Sequence, residues 1–219
     1  MSGPSEGPAT PPVLVRKTLV YRICRTAVWA YLGLRHGMRC EGVQNIPTVG
    51  GALIVANHQS VLDIPLLAAS TGRHVCFVAR KSLADSALLG FIMRQCGAVL
   101  IDRGAGDRGA MRQMVEHLTQ GDLVAIFPEG TRTRDGRVGT FKGGALLAAR
   151  KAGVPIVPAS IRGSFAIWPR SRRLPGPGRI AVRFATVHSP GGGAEALDAV
   201  RTAVEAGVGA GDFDSVQPS

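Results

Sequence analysis

Seven short apolar runs alternate with segments of helical spacing, and that alternation is the tightest constraint on how this chain folds. The runs fall at about 38–43, 51–56 (GALIVA), 74–79 (HVCFVA), 98–101, 122–127 (DLVAIF), 154–160 and 179–187. Helical spacing occurs at about 61–70, 83–95, 107–120, 142–152 and 194–207. A run apolar at every position is a strand covered on both faces, the habit of parallel sheets. Strands alternating with helices predict an α/β fold: a single domain with a central mixed, mostly parallel sheet flanked by helices. A chain of 219 residues accommodates one such domain with a full core, and two would be crowded.

The ends differ from this middle. Residues 1–12 hold four Pro and two Gly and little to bury, which predicts a disordered tail. Residues 208–219 read as a flexible C-terminal tail, leaving 38–207 as the α/β domain. In between, residues 13–37 predict an amphipathic basic helix. Leu19, Ile23, Ala27, Tyr31 and Leu34 recur at helical spacing, with Trp29 and Leu32 beside them. Arg16, Lys17, Arg22, Arg25, Arg35 and Arg39 lie in this stretch or at its edge, with no acid among them. A basic helix with one aromatic-apolar face reads as a membrane-surface element, here facing an anionic membrane surface, and the same pattern also suits an amphipathic helix docked on the domain. No signal-peptide layout opens the sequence, and no stretch approaches the ~18–20 apolar residues needed to cross a bilayer.

Net charge of +11 points to an anionic partner. Residues 136–194 contribute ten basic residues and no acid, with Arg170, Arg172 and Arg173 clustered. Nucleic acid is the partner class this charge raises first. No zinc finger, helix-turn-helix or aromatic-studded basic strand accompanies it, and aromatics are only 5% of the chain, so no nucleic-acid partner is expected, and a basic nucleic-acid-binding protein stands as the alternative reading from another class. Cys24, Cys40, Cys76 and Cys96 are widely spaced and predict reduced, buried thiols. The histidines (His36, His58, His74, His117, His188) show no metal-ligand spacing, so no metal is expected.

Three clusters carry chemistry. After the second apolar run comes Asn57-His58-Gln59-Ser60-Val61-Leu62-Asp63. Five residues turn about 500° on a helix, so His58 and Asp63 meet only if His58 sits in the loop and Asp63 in the first helical turn. Pro65 fits a first turn, and Ser60 is the expected N-cap. A carboxylate on one ring nitrogen fixes the tautomer and leaves the other to take a proton from a hydroxyl. The same spacing also suits a loop histidine beside a capping aspartate with no chemistry. The second cluster, Ile101-Asp102-Arg103, ends another run, and Phe127-Pro128-Glu129-Gly130-Thr131-Arg132 ends a third. Ligands gather beyond the carboxyl ends of strands in open α/β sheets, where Arg103 and Arg132 can grip a phosphate. Gly104, Gly106 and Gly109 match a dinucleotide-binding pattern, with Glu129 20 residues on. Asp102 and Arg103 intervene between strand and first glycine, and the chain holds 29 glycines, so chance explains the match.

In this order and spacing, the blocks resemble the glycerolipid acyltransferase family, specifically 1-acyl-sn-glycerol-3-phosphate acyltransferases. Its Asn-His-x4-Asp block is matched by Asn57, His58 and Asp63, its Asp-Arg strand end by Asp102-Arg103, and its Phe-Pro-Glu-Gly-Thr-Arg block by residues 127–132. Val154 to Pro158 match its Val-Pro-Ile-Val-Pro strand, and Lys81 and Lys142 match the basic residues between blocks. The resemblance implies transfer of an acyl group from acyl-CoA or acyl carrier protein to the sn-2 hydroxyl of a lysophospholipid acceptor, lysophosphatidic acid. It implies His58 as general base and Asp63 as its orienting partner. Arg103, Glu129, Gly130, Thr131 and Arg132 fall at the glycerol-phosphate site, with Asn57, Lys81 and Lys142 supporting. It implies no cofactor beyond the acyl thioester co-substrate, no covalent acyl-enzyme, and a peripheral place on the cytoplasmic face of the membrane. A lyso-ornithine lipid is the alternative acceptor.

Overall fold

A computed structural model describes residues 19–80, 98–101, 108–190 and 193–209. All seven expected strands form: β1 (Arg39–Glu41), β2 (Ala52–Ala56), β3 (Val75–Arg80), β4 (Val99–Ile101), β5 (Leu123–Ile126), β6 (Ile156–Arg162) and β7 (Ala181–Phe184). They make one sheet in the order β1-β7-β6-β2-β5-β3-β4. β7 is antiparallel to β6, and every other pairing is parallel. The sheet is therefore mixed and mostly parallel, as expected.

The central strand β2 is buried at all five positions. Ala52, Ile54 and Ala56 join one core with Leu66, Leu67, Val157 and Phe184. Leu53 and Val55 join the other, with Leu118, Val124, Ile156 and Val204. This two-residue alternation puts half of each strand under each helical layer. The first layer holds α1 (Leu19–His36) and α2 (Asp63–Ser70), together with a four-residue turn of helix, α5 (Ser164–Ile167). The second layer holds α3 (Arg108–Thr119), α4 (Leu147–Ala152) and α6 (Ala194–Gly209).

Several boundaries differ from expectation, each for a local reason. Instead of one helix over 142–152, a 3-10 turn at Gly143–Leu146 leads into α4, because Gly143 and Gly144 are poor helix formers. α6 runs to Gly209, two residues past the expected domain end. α5 was not expected, since four residues show no periodicity. The expected helix at 83–95, the tail at 1–12, and Cys96 lie outside the described residues. Among the cysteines expected to be buried, Cys76 is buried and Cys40 is exposed.

α1 is docked on the domain by one side only. Tyr21, Leu32 and His36 are buried, and the Arg25 guanidinium donates to the Thr71 carbonyl at the end of α2. Leu19, Ile23, Tyr31 and Leu34 face outward, with Leu34 91% exposed. Among the described residues no helix is long and apolar enough to cross a membrane.

Candidate active site

β2 and β5 are neighbours and parallel, so the loops leaving their carboxyl ends lie side by side. The first carries Asn57 and His58, and the second carries Phe127 to Arg132. Asn57 is fully buried and extends the sheet with its side chain. Its Nδ2 donates to the Ile161 carbonyl at 3.0 Å, and its Oδ1 accepts from the Ile161 N–H at 2.7 Å. The amide thus replaces a backbone pairing just where β2 turns away.

That turn delivers His58 to Asp63. His58 Nδ1 lies 2.9 Å from Asp63 Oδ2. The same oxygen accepts the Gln59 N–H at 2.6 Å and the Ser60 N–H at 2.7 Å. Three donors on one oxygen of a fully buried carboxylate hold the loop in a single shape. Asp63 opens α2, as expected, but Ser60 is not the N-cap. Leu62 occupies that place without a side-chain cap bond. Ser60 Oγ instead accepts from the Leu62 N–H and donates to the Trp168 carbonyl, tying the loop to the segment after α5. The reciprocal half of the expected capping box does form, from Ser60 N–H to Asp63.

The second loop grips the first from below. Glu129 Oε1 accepts the His58 N–H at 2.9 Å, and the Thr133 N–H donates to the His58 carbonyl at 2.8 Å. Glu129 thus holds backbone. Burial pushes its carboxyl above the ordinary range, opposed by N–H donors from His58 and Gly139 and by the His58 charge, while Asp63 adds to the rise. Phe127 stacks on the His58 ring with centroids 4.0 Å apart and planes 16° apart. Its π-face backs one side of the imidazole and fixes the plane of the ring. The His58 side chain remains 15% exposed, and Asp63 occupies Nδ1, so Nε2 is the nitrogen available to a substrate.

A cationic rim surrounds this centre. Gly130 has φ of 70°, and a Cβ there would sit 2.7 Å from Lys142 Nζ. A bare glycine lets the loop turn and lets the Lys142 ammonium close over it. Arg170 Nη1 lies 3.5 Å from Thr131 Oγ1. Burial first, then the Arg170 charge, holds Arg132 below the usual arginine range, while the Asp63 charge pulls the other way. Two guanidiniums repelling each other at one rim are relieved by an anion between them.

The structure therefore brings together Asn57, His58, Asp63, Glu129, Gly130, Thr131, Arg132 and Lys142. Arg103 and Lys81 lie outside the described residues. Sequence reasoning did not assign Phe127, Gln59 or Arg170 to the site. Arg170 was visible only as part of a basic cluster, 38 residues from Arg132. Phe127 stood beside the assigned Glu129, and the contact that matters is made across loops.

Known proteins share sequence and fold with this chain. The Acyltransferase family model matches residues 37–162. A chloroplastic 1-acyl-sn-glycerol-3-phosphate acyltransferase of Arabidopsis thaliana is 35% identical over 147 residues, which cover 65% of this chain and 41% of that protein. The 1-acyl-sn-glycerol-3-phosphate acyltransferase of Helicobacter pylori is 35% identical over 156 residues, covering 70% and 65%. The chain thus spans less than half the length of the chloroplastic relative. The crystal structure of the 1-acyl-sn-glycerophosphate acyltransferase of Thermotoga maritima aligns with a TM-score of 0.79 at 29% identity, covering 93% of this chain and 83% of that one.

Proposed function

Because the chain belongs to the acyltransferase family, we propose that it moves a fatty acyl group from a thioester to the sn-2 hydroxyl of lysophosphatidic acid, making phosphatidic acid. The observation that carries this is the His58–Asp63 pair, 2.9 Å apart, with its second ring nitrogen left for a substrate. His58 Nε2 takes the acceptor hydroxyl proton as the oxygen attacks the thioester carbonyl. The tetrahedral intermediate collapses, the carbon–sulfur bond breaks, and the departing thiolate takes the proton back from His58. A thioester is activated enough for a positioned base, typically worth about 10²–10⁴ in rate, to serve without an acyl-enzyme or a metal.

Arg132, Arg170 and Lys142 bind the acceptor phosphate in this scheme, with Thr131 on the same loop. Arg103 and Lys81 join them on the strength of their motifs. Glu129 positions His58 through its backbone. The donor is acyl-CoA or acyl carrier protein. The exposed apolar face of α1, flanked by Arg22 and Arg35, seats the enzyme peripherally on an anionic membrane, at its cytoplasmic face, where the acceptor resides.

A second acceptor is favoured by one relative. The lyso-ornithine lipid O-acyltransferase of Pseudomonas aeruginosa is 37% identical over 110 residues, covering 50% of this chain and 42% of that protein. Incubating purified protein with labelled acyl donors and a panel of lysolipids separates the two. Labelled phosphatidic acid, lost in His58→Ala and formed with raised KM in Arg132→Ala, supports the proposal. Preferential labelling of a lyso-ornithine lipid keeps the chemistry and overturns the acceptor. Near-normal turnover by His58→Ala removes the base assignment.

A further inference from the structure

The sheet carries a second His-x4-Asp pair, His117 and Asp122, at its other end. His117 lies in the last turn of α3, and Asp122 immediately precedes β5. His58 and Glu129 follow the carboxyl ends of β2 and β5, whereas this pair flanks the amino end of β5. Its geometry repeats the first, with His117 Nδ1 at 2.9 Å from Asp122 Oδ2. What it faces differs. Cys76, near the start of β3, places Sγ 3.8 Å from His117 Nδ1.

The three donor atoms of Cys76, His117 and Asp122 lie within 4.8 Å of one another. A tetrahedral ion with Zn–S near ~2.3 Å and Zn–N or Zn–O near ~2.0–2.1 Å holds neighbouring donors roughly 3.3–3.6 Å apart. An ion therefore fits once His117 and Asp122 part from 2.9 Å to about 3.3 Å and Cys76 closes on both to about 3.6 Å. Cys76 is fully buried, while the His117 and Asp122 side chains are 19% and 23% exposed. The thiol forms the floor and the other two form a mouth open to solvent, which leaves the fourth position to water.

The geometry points to a site for one borderline-soft divalent cation, Zn²⁺ by its donor set, held by Cys76, His117 and Asp122. Thiolate plus carboxylate cancel the ion's charge, so the loaded site is neutral in a half-buried setting. Loading releases the Cys76 thiol proton. The His117 Nδ1 proton moves to Nε2, and the ring stays neutral. His74 Nδ1, 3.7 Å from Cys76 Sγ, stands as an outer partner of the thiolate. Arg73 holds the loop that carries Asp122, donating to the carbonyls of Pro47, Gly50 and Gly121. The His74 ring also packs on Tyr21 of α1, centroids 4.3 Å apart, so the site touches the element that docks the helix.

Co²⁺ is the spectroscopic probe, added to full-length protein previously stripped with a chelator. One equivalent per chain should give a sulfur-to-cobalt charge-transfer band and intense tetrahedral visible bands, both erased by Zn²⁺. Cys76→Ser should abolish the charge-transfer band. Asp122→Asn, on a surface loop, should weaken binding at least about tenfold, the lower bound for disturbing even an outer partner of a metal ligand, with unchanged circular dichroism. His58→Ala should titrate like the parent. No stoichiometric uptake, a charge-transfer band surviving in Cys76→Ser, full affinity in Asp122→Asn, or loss of the site in His58→Ala each overturns the inference. If Cys76→Ser does not fold, Asp122→Asn decides.

Discussion

At the scale of single residues, Glu129 is an acid set among cations, with Arg132 on its own loop and Arg170 and Lys142 beside that loop. It earns its place by accepting the His58 N–H, a task that needs an acceptor and not a charge. Burial raises its pKa above the ordinary carboxyl value. For a carboxyl raised on folding, the stabilising contribution is complete below the unfolded pKa and is lost as pH rises through the folded one. Glu129→Gln stays neutral throughout and lacks that loss. Its thermal midpoint relative to the parent should therefore improve from about pH 4 to about pH 7. A constant or falling difference across a pH series of melting curves would remove Glu129 as the titrating group. At this scale His58, Asp63 and Arg132 were legible in the sequence because each stands in a short block of fixed spacing. Phe127 was not, because an aromatic ring declares its role only through the ring it stacks on.

At the scale of elements, α1 packs one face on the domain and turns the other outward. Tyr21 and Leu32 anchor it to the domain, while Leu19, Ile23 and Leu34 meet nothing of the core. Burying a large aliphatic side chain is worth about 1.5–3 kcal/mol. The triple change Leu19→Ser, Ile23→Ser, Leu34→Ser should cut binding to anionic vesicles at least about tenfold in a flotation assay, and leave the thermal midpoint near that of the parent. Undiminished binding would move the docking surface elsewhere. A large fall in melting temperature would mean the face packs within the protein. The outward stripe was readable from spacing alone. Leu32 was grouped with it by sequence, yet it belongs to the buried side, since adjacent positions on a helix point apart by about 100°. The short α5 and the broken start of α4 were not readable, one too brief for periodicity and the other interrupted by two glycines.

At the scale of the whole molecule, the strand order decides which loops meet. β2 lies between β6 and β5, so the His58 loop touches the Glu129 loop on one side and the end of β6 on the other. Asn57 ties the latter contact with two hydrogen bonds. Asn57→Ala strands a buried N–H and a buried carbonyl, each costing about 1–3 kcal/mol. Chemical denaturation should show a loss of at least about 2 kcal/mol with an unchanged slope, and turnover should fall as the neighbouring His58 loosens. A loss below about 0.5 kcal/mol would mean that water replaces the amide.

The sequence by itself determined the seven strands, their mostly parallel habit, the His58–Asp63 pairing and the basic residues of the loop after β5. These follow from local periodicity and residue type, which act over a few neighbours. Only the tertiary structure decided that Arg170 joins Arg132, that Phe127 backs His58, and that Cys76 meets His117 and Asp122. Those contacts join residues 38 to 69 positions apart, and the order of strands in a sheet, set by packing of the whole core, leaves no local trace.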